Sequence, residues 1–327
     1  MKKKIKSLLK WTGILALSPI ALFLVVALLV YIPPVQQAIV NLAAEKLSVS
    51  MGMDFRIERV RLAFPLDLAL HGVTACEKGD TLLDAQSARL DVQLWPLFSG
   101  RAEVDAVELR GVRLNSKSYI SDTHIQGRAG LLAATVHPAD WKNQRVRIED
   151  VRLTNADFEV ALSDTAQPDT SKTKTEWVIE LQKAHLANTR LRLSLPGDSM
   201  RIGVGIGKAS LSGGRFDLGK GNYALRKLRL SNGAVQYDVP QAPRTGHGFD
   251  MNHIALDRVG LAIDTVRYTA DGTLHAGLRH LVFSEACGLE LKRLRGQMAM
   301  QGEHIALSDF LLLTPHSRLT AEANLDL

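Results

Sequence analysis

The chain has 327 residues, of which 46% are hydrophobic, and a formal net charge of +6. Five of its 40 basic residues are lysines within the first ten positions, which leaves 35 basic against 34 acidic residues in the remainder. This nearly neutral remainder removes the case for a nucleic-acid-binding surface, which needs clustered positive charge. We therefore expect no nucleic acid among the partners.

Segment 11–32 contains no charged residue and follows a lysine-rich segment, 1–10. About 20 apolar residues suffice to cross a hydrocarbon core ~30 Å thick, and in lipid such a run must be helical. The pattern predicts a transmembrane helix over 11–32. By the positive-inside rule, residues 1–10 stay in the cytoplasm and everything after residue 32 is exported. In a bacterial cell this orientation places the anchor in the inner membrane and the bulk of the chain in the periplasm. A cleaved signal peptide is the alternative, but the run is longer than its apolar region and no small-x-small cleavage site follows.

Segment 33–50 is predicted to form a short amphipathic helix. Pro34 suits the first helical turn, and Gly52 follows the segment. Apolar residues recur between them at helical spacing, namely Val35, Ala38, Ile39, Leu42 and Ala43.

From residue 51 to residue 327 the dominant pattern is alternation of apolar and polar residues, as in 191–195 and 228–230. A period of two predicts half-exposed strands, so this part is expected to be one mainly β domain. Several apolar pairs are separated by odd steps, and the interrupting residues are Thr154 and Asn155, Ala187 and Asn188, and Ser231, Asn232 and Gly233. We predict that these residues form bulges or turns, which return the following apolar residues to the same face.

Two polar stretches, 163–176 and 240–250, are predicted to be mobile loops inserted in hairpins. Residues 317–327 alternate up to the last residue. A chain that stops within a strand leaves an unpaired edge, so we expect this sequence to be the N-terminal portion of a longer protein.

Motifs of catalysis are missing from the sequence. His275 and His280 lack an HExxH or similar ligand set, and segment 203–208 (GVGIGK) fits no phosphate-binding loop. We expect no catalytic residues, metal or cofactor, and therefore no enzyme. Whether Cys76 and Cys287 form a disulfide is left open, because spacing alone does not decide it.

A further resemblance concerns the order of elements between residues 11 and 114. The apolar anchor and short helix precede segment 54–60 (DFRIERV), then 65–73 (PLDLALHGV) and 79–85 (GDTLLDA). Segments 88–92 (ARLDV) and 96–100 (PLFSG) then lead to the strand pattern at 104–114. In this order the chain resembles the AsmA-like proteins, and within them the TamB type. It is shorter than a full TamB-type protein and lacks that type's C-terminal region.

This resemblance implies an elongated, curled (taco-like) antiparallel β-sheet groove, anchored in the inner membrane, that carries phospholipid toward the outer membrane. It also implies an alternative, a non-enzymatic assembly factor for outer-membrane β-barrel proteins with a barrel partner. An alternating sheet must bury its apolar face, either against acyl chains in an open groove or within a closed, dry core. The candidate lining residues are Leu109, Leu114, Leu153, Phe158, Leu191, Leu193, Leu228, Leu230, Val235 and Tyr237.

Overall fold

A computed structural model describes residues 34, 37–38, 41, 44–45, 48, 53–63, 67–77, 79–93, 104–116, 123–137, 140, 143–162, 176–195, 199–246 and 248–326. The described part from residue 54 onward is mainly β, as predicted, and forms a single sheet of fourteen strands. The strands are β1 (Asp54–Ala63), β2 (Asp67–Glu77), β3 (Asp80–Val92), β4 (Val104–Asn115), β5 (Thr123–Val136), β6 (Arg145–Leu162), β7 (Val178–Ser194), β8 (Arg201–Asp217), β9 (Asn222–Asp238), β10 (His253–Tyr268), β11 (Leu274–Glu285), β12 (Glu290–Gln301), β13 (His304–Leu313) and β14 (Arg318–Asp326).

The strands follow one another across the sheet in sequence order, with β1 and β14 at the two edges. The sheet is not closed into a barrel. Its longest strands, β6 to β9, have 17 or 18 residues each and occupy the middle. Within the described residues no second layer of strands lies over either face.

One strand pair departs from the antiparallel sheet that we predicted. β6 and β7 are parallel, and Arg145 faces Val178 while Ala161 faces Ser194. Parallel neighbours need a crossover connection, because the end of one strand lies far from the start of the next. The first polar stretch therefore does not join a hairpin, and that prediction is wrong; its residues 163–175 lie outside the described part of the chain. The other twelve strand pairs are antiparallel.

The second polar stretch does connect antiparallel strands, β9 and β10. Hydrogen bonds organise it: Asp250 accepts from the backbone N–H groups of Thr245 and Asn252, each at 3.0 Å. His253 lies against this loop with only 4% of its side chain exposed. These hydrogen bonds organise the connection, and its mobility stays a prediction.

The predicted cytoplasmic segment 1–10 and transmembrane helix 11–32 lie outside the described residues. No helix among the residues that the structure describes has the length and apolar character to cross a membrane. In segment 33–50 the seven described residues are helical. The Ser48 hydroxyl accepts a 2.9 Å hydrogen bond from the Phe55 N–H, which joins this segment to β1.

Candidate binding surface

All ten predicted lining residues lie on strands, and cross-strand pairing places them on one face, which we name the apolar face. Leu109, Leu153 and Phe158 pack against the same small cluster of buried residues, so the odd step from Leu153 to Phe158 keeps both on this face. The ten residues fall into four cross-strand rows: Leu109, Leu153 and Leu230; Leu114, Phe158, Leu191 and Val235; Leu193 and Tyr237; and Leu228.

The first of these rows runs unbroken across the whole sheet. Each of its members pairs with the next across every strand boundary, and each is Leu, Val or Ala. We name it the leucine row: Val60, Leu70, Ala88, Leu109, Leu132, Leu153, Leu186, Ala209, Leu230, Leu261, Leu281, Leu294, Leu312 and Leu319. Such a row presents continuous apolar surface from one edge of the sheet to the other.

Next to the leucine row, residues in the left-handed region of the Ramachandran plot interrupt the alternation of apolar and polar side chains along the strands. Asn155, Asn188 and Asn232 have φ values of 52°, 47° and 53°, which confirms the predicted local breaks. Gly72 and Gly111 occupy the equivalent positions on β2 and β4, with φ values of 63° and 58°. Asparagine and glycine adopt this conformation more readily than other residues. After one such residue, each side chain points to the face opposite to the one that strict alternation would give it.

These five residues lie on strands that all run in the same direction. β6 and β7 are parallel neighbours, so Asn155 and Asn188 meet there, and the Asn188 amide donates a 3.2 Å hydrogen bond to Asn155 Oδ1. The breaks thus align across the sheet from β2 to β9. Each brings the residue that follows it back to the apolar face.

The row that follows the breaks was missed by the sequence analysis. It consists mostly of small residues, and most of them are buried although no second layer covers them. We name it the central row: Ala85, Val112, Ala129, Ala156, Thr189, Ile206, Gly233 and Val259. Ala85 is 0% exposed, and Ala129 and Thr189 are 3% exposed. The signal was present in the sequence, since Ala156, Thr189 and Gly233 directly follow the three asparagines.

The opposite face, which we name the polar face, carries cross-strand ion pairs. Glu180 on β7 contacts Arg215 at 2.7 Å on one side and Arg147 at 3.3 Å on the other. Arg192 contacts Asp157 at 3.0 Å. The sheet thus has one apolar and one charged surface, as alternating strands require.

Two titratable clusters lie at the strand ends. His253 Nδ1 is 2.7 Å from Asp238 Oδ1, and Nε2 is 3.0 Å from the Ala242 carbonyl oxygen; these two interactions, chiefly that with Asp238, raise the pKa of His253. Glu285 accepts a 2.6 Å hydrogen bond from the Cys287 N–H. The hydrogen bond with the Cys287 side chain is the main cause that lowers the pKa of Glu285, and the same bond raises the pKa of the Cys287 thiol.

The remaining motifs supply no further site. Segment 203–208 lies within β8, so no helix begins there to hold a phosphate. Cys76 and Cys287 are both free. Among the described residues, no three His, Cys, Asp or Glu side chains converge as a metal site would require.

Comparison with known proteins adds no assignment. No protein-family model matches the chain, and no curated protein matches it. The function is therefore inferred from the sequence and from the geometry of the sheet.

Proposed function

We propose that this chain is a non-enzymatic, AsmA-like protein, anchored in the inner membrane, that carries phospholipid along a curled β-groove in the periplasm toward the outer membrane. The observation that carries the proposal is the apolar face, with its unbroken leucine row and its buried central row. Inner membrane and phospholipid acyl chains are the proposed partners.

The burial of the central row supports a concave groove. On a flat, single-layer sheet, side chains on either face are open to solvent. Ala85, Val112, Ala129 and Ala156 are at most 4% exposed, and their cover consists of larger neighbours on the same face, including Leu83, Leu109 and Phe158. Large neighbours cover small side chains more completely where the sheet bends toward them. The aligned breaks are compatible with such a bend, because each places a residue with a positive φ at the same level of neighbouring strands.

The dimensions suit acyl chains. Strands are spaced ~4.8 Å apart, so fourteen of them extend the leucine row over about 60 Å. One acyl chain spans about half of a ~30 Å hydrocarbon core. Several chains therefore fit end to end, and each buried methylene stabilises the complex by about 0.8 kcal/mol.

Photocrosslinking on β7 tests the proposal. A photoreactive amino acid replaces Leu191 or Leu193 on the apolar face, and Arg190 or Arg192 on the polar face serves as the matched control on the same strand. Accessibility is comparable, because Leu191 is 37% exposed and the Arg192 side chain is 44% exposed. Loss of the surface ion pairs of the arginines is expected to cost at most about 1 kcal/mol.

We expect lipid adducts in membranes at Leu191 and Leu193 and none at the arginines. Equal labelling at all four positions, or no labelling at the leucines, would contradict a groove for acyl chains.

A second candidate function is assembly of outer-membrane β-barrel proteins by strand addition. Among the described strands β14 pairs only with β13, and its Leu319 and Leu325 are 54% and 52% exposed. Such an edge can accept another strand. Protein adducts from photoreactive residues at Leu319 or Leu325, together with no lipid at Leu191, would favour this function.

A further inference from the structure

Three neighbouring strands gather basic side chains on the polar face. In the paired rows, Lys183 of β7 faces Ser212 of β8, which faces Lys227 of β9. The next two rows are His185, Ser210 and Arg229, and then Ala187, Lys208 and Ser231. Ser210 therefore lies at the centre of a three-by-three grid, and five basic side chains surround it. We name them the basic ring: Lys183, His185, Lys208, Lys227 and Arg229.

Four of the five basic side chains in the ring have no acidic partner in an ion pair among the described residues. Lys183, Lys208, Lys227 and Arg229 form no ion pair within the described part of the chain, in contrast to the paired arginines elsewhere on the same strands. Neighbouring positions on adjacent strands have Cβ atoms only ~5 Å apart, and diagonal positions ~7 Å, so like charges there repel. The sheet thus holds three lysines, an arginine and a histidine around one small residue.

Acidic residues border the grid, and one of them, Asp150 on β6, faces Lys183 across the strand boundary and contacts His185 of the ring. Asp150 Oδ2 is 3.1 Å from Arg152 Nε, and Asp150 Oδ1 is 3.8 Å from His185 Nε2. Asp264 Oδ2 is 2.9 Å from Arg279 Nε. No carboxylate occupies the nine positions of the grid itself, so positive side chains outnumber negative ones there.

A shallow depression of about 890 Å³ overlaps part of the grid. His185, Lys208, Ser210, Arg229 and Ser231 line it, whereas Lys183 and Lys227 do not, and it also reaches the leucine row at Leu186, Ala209, Leu230 and Leu261. The hydroxyls of Ser210 and Ser231 have no hydrogen-bond partner among the described residues. Hydroxyl, ammonium and guanidinium donors around one centre are the groups that bind phosphate oxygens.

We propose that the basic ring binds a phosphate group over Ser210. The ring is built from side chains of the polar face, so it does not depend on the proposed carriage of lipid. Phosphate oxygens would receive hydrogen bonds from Ser210, Lys208 and Arg229 and would relieve the repulsion within the ring. The phosphate can belong to a soluble anion or to a lipid headgroup at a membrane surface.

The test places a carboxylate where the anion would bind. Ser210→Glu supplies a tethered negative charge, and Ser210→Gln is the matched control of the same size without the charge. Binding of pyrophosphate to the full chain in detergent is measured by isothermal titration calorimetry. We expect Ser210→Glu to bind at least roughly tenfold more weakly than Ser210→Gln, and to have a higher Tm, since the carboxylate neutralises the ring.

Two further variants each remove one positive charge, so they lower the net charge of the chain by the same amount. Lys208→Gln is expected to weaken pyrophosphate binding severalfold, whereas Arg267→Gln, on β10 outside the ring, leaves it unchanged. Binding is also expected to weaken as NaCl is raised, because charges on an exposed face are screened. Equal binding by the Glu and Gln variants at position 210, or equal loss at positions 208 and 267, would overturn the proposal.

The source of the phosphate is decided by comparing probes. Binding of pyrophosphate, with no difference between phosphatidylcholine vesicles and vesicles that also contain phosphatidylglycerol, assigns the site to a soluble phosphate compound. A preference for the phosphatidylglycerol vesicles that Ser210→Glu abolishes assigns it to lipid headgroups. Absence of both responses in the unsubstituted protein means that the ring binds no phosphate.

Discussion

Substitution of Asn188 tests whether the sheet requires a left-handed backbone conformation at this position. Its φ is 47° and its side chain is exposed, so substitution changes the backbone preference with little change in burial. The left-handed region costs a residue with a Cβ about 1–2 kcal/mol, and asparagine is among the residues that tolerate it best. Every variant also loses the 3.2 Å hydrogen bond from Asn188 to Asn155, worth about 0.5 kcal/mol on an exposed surface.

These terms predict an order of stability among three variants. Asn188→Gly loses the hydrogen bond and adds the backbone entropy of glycine, but it has no left-handed strain, so it is expected to cost about 1–1.5 kcal/mol. Asn188→Ala adds the cost of the left-handed backbone to that of the lost bond, for a total of about 1.5–2.5 kcal/mol. Asn188→Val should be the least stable, because a β-branched residue is a marked outlier at positive φ. The usual preference of strands for valine over glycine is therefore expected to be reversed at this position.

Urea unfolding followed by far-UV circular dichroism measures the effect, and the midpoints at unchanged slope give the free-energy differences. Asn188→Gly serves as the control for the lost side chain. If the Ala and Val variants unfold at the same urea concentration as the Gly variant, the left-handed conformation is not required, and the proposed change of phase in the strands is wrong.

Two further predictions concern the strand ends. The hydrogen bond with Asp238 raises the pKa of His253 above 6.5, so its stabilisation is complete below that pH and is lost as pH rises through the raised value. The Tm advantage over His253→Gln should therefore shrink between about pH 5 and about pH 9; a constant gap would contradict the assignment. Since Glu285 raises the pKa of the Cys287 thiol, Glu285→Gln should accelerate alkylation of Cys287 by iodoacetamide and leave Cys76 unchanged, as peptide mass spectrometry would report.

The sequence by itself determined the class of the fold and the face of most candidate residues. Alternation of apolar and polar residues is a local property, because successive side chains of any strand point to opposite faces. The segments that contain Asn155, Asn188 and Asn232 were predicted to be local breaks because small polar residues favour bulges and turns; their left-handed backbone was seen only in the structure. All ten predicted lining residues consequently share one face of the sheet.

Tertiary structure alone decided which residues meet across strands. Parallel pairing of β6 and β7 was not predicted, because parallel and antiparallel ladders differ little in stability per residue and the choice depends on the long connection between them. The basic ring combines Lys183, Lys208 and Arg229 from three strands, and a shift of one residue in either register would separate them. The register of two strands is set by many weak cross-strand contacts between residues distant in sequence, so it cannot be read from either strand alone.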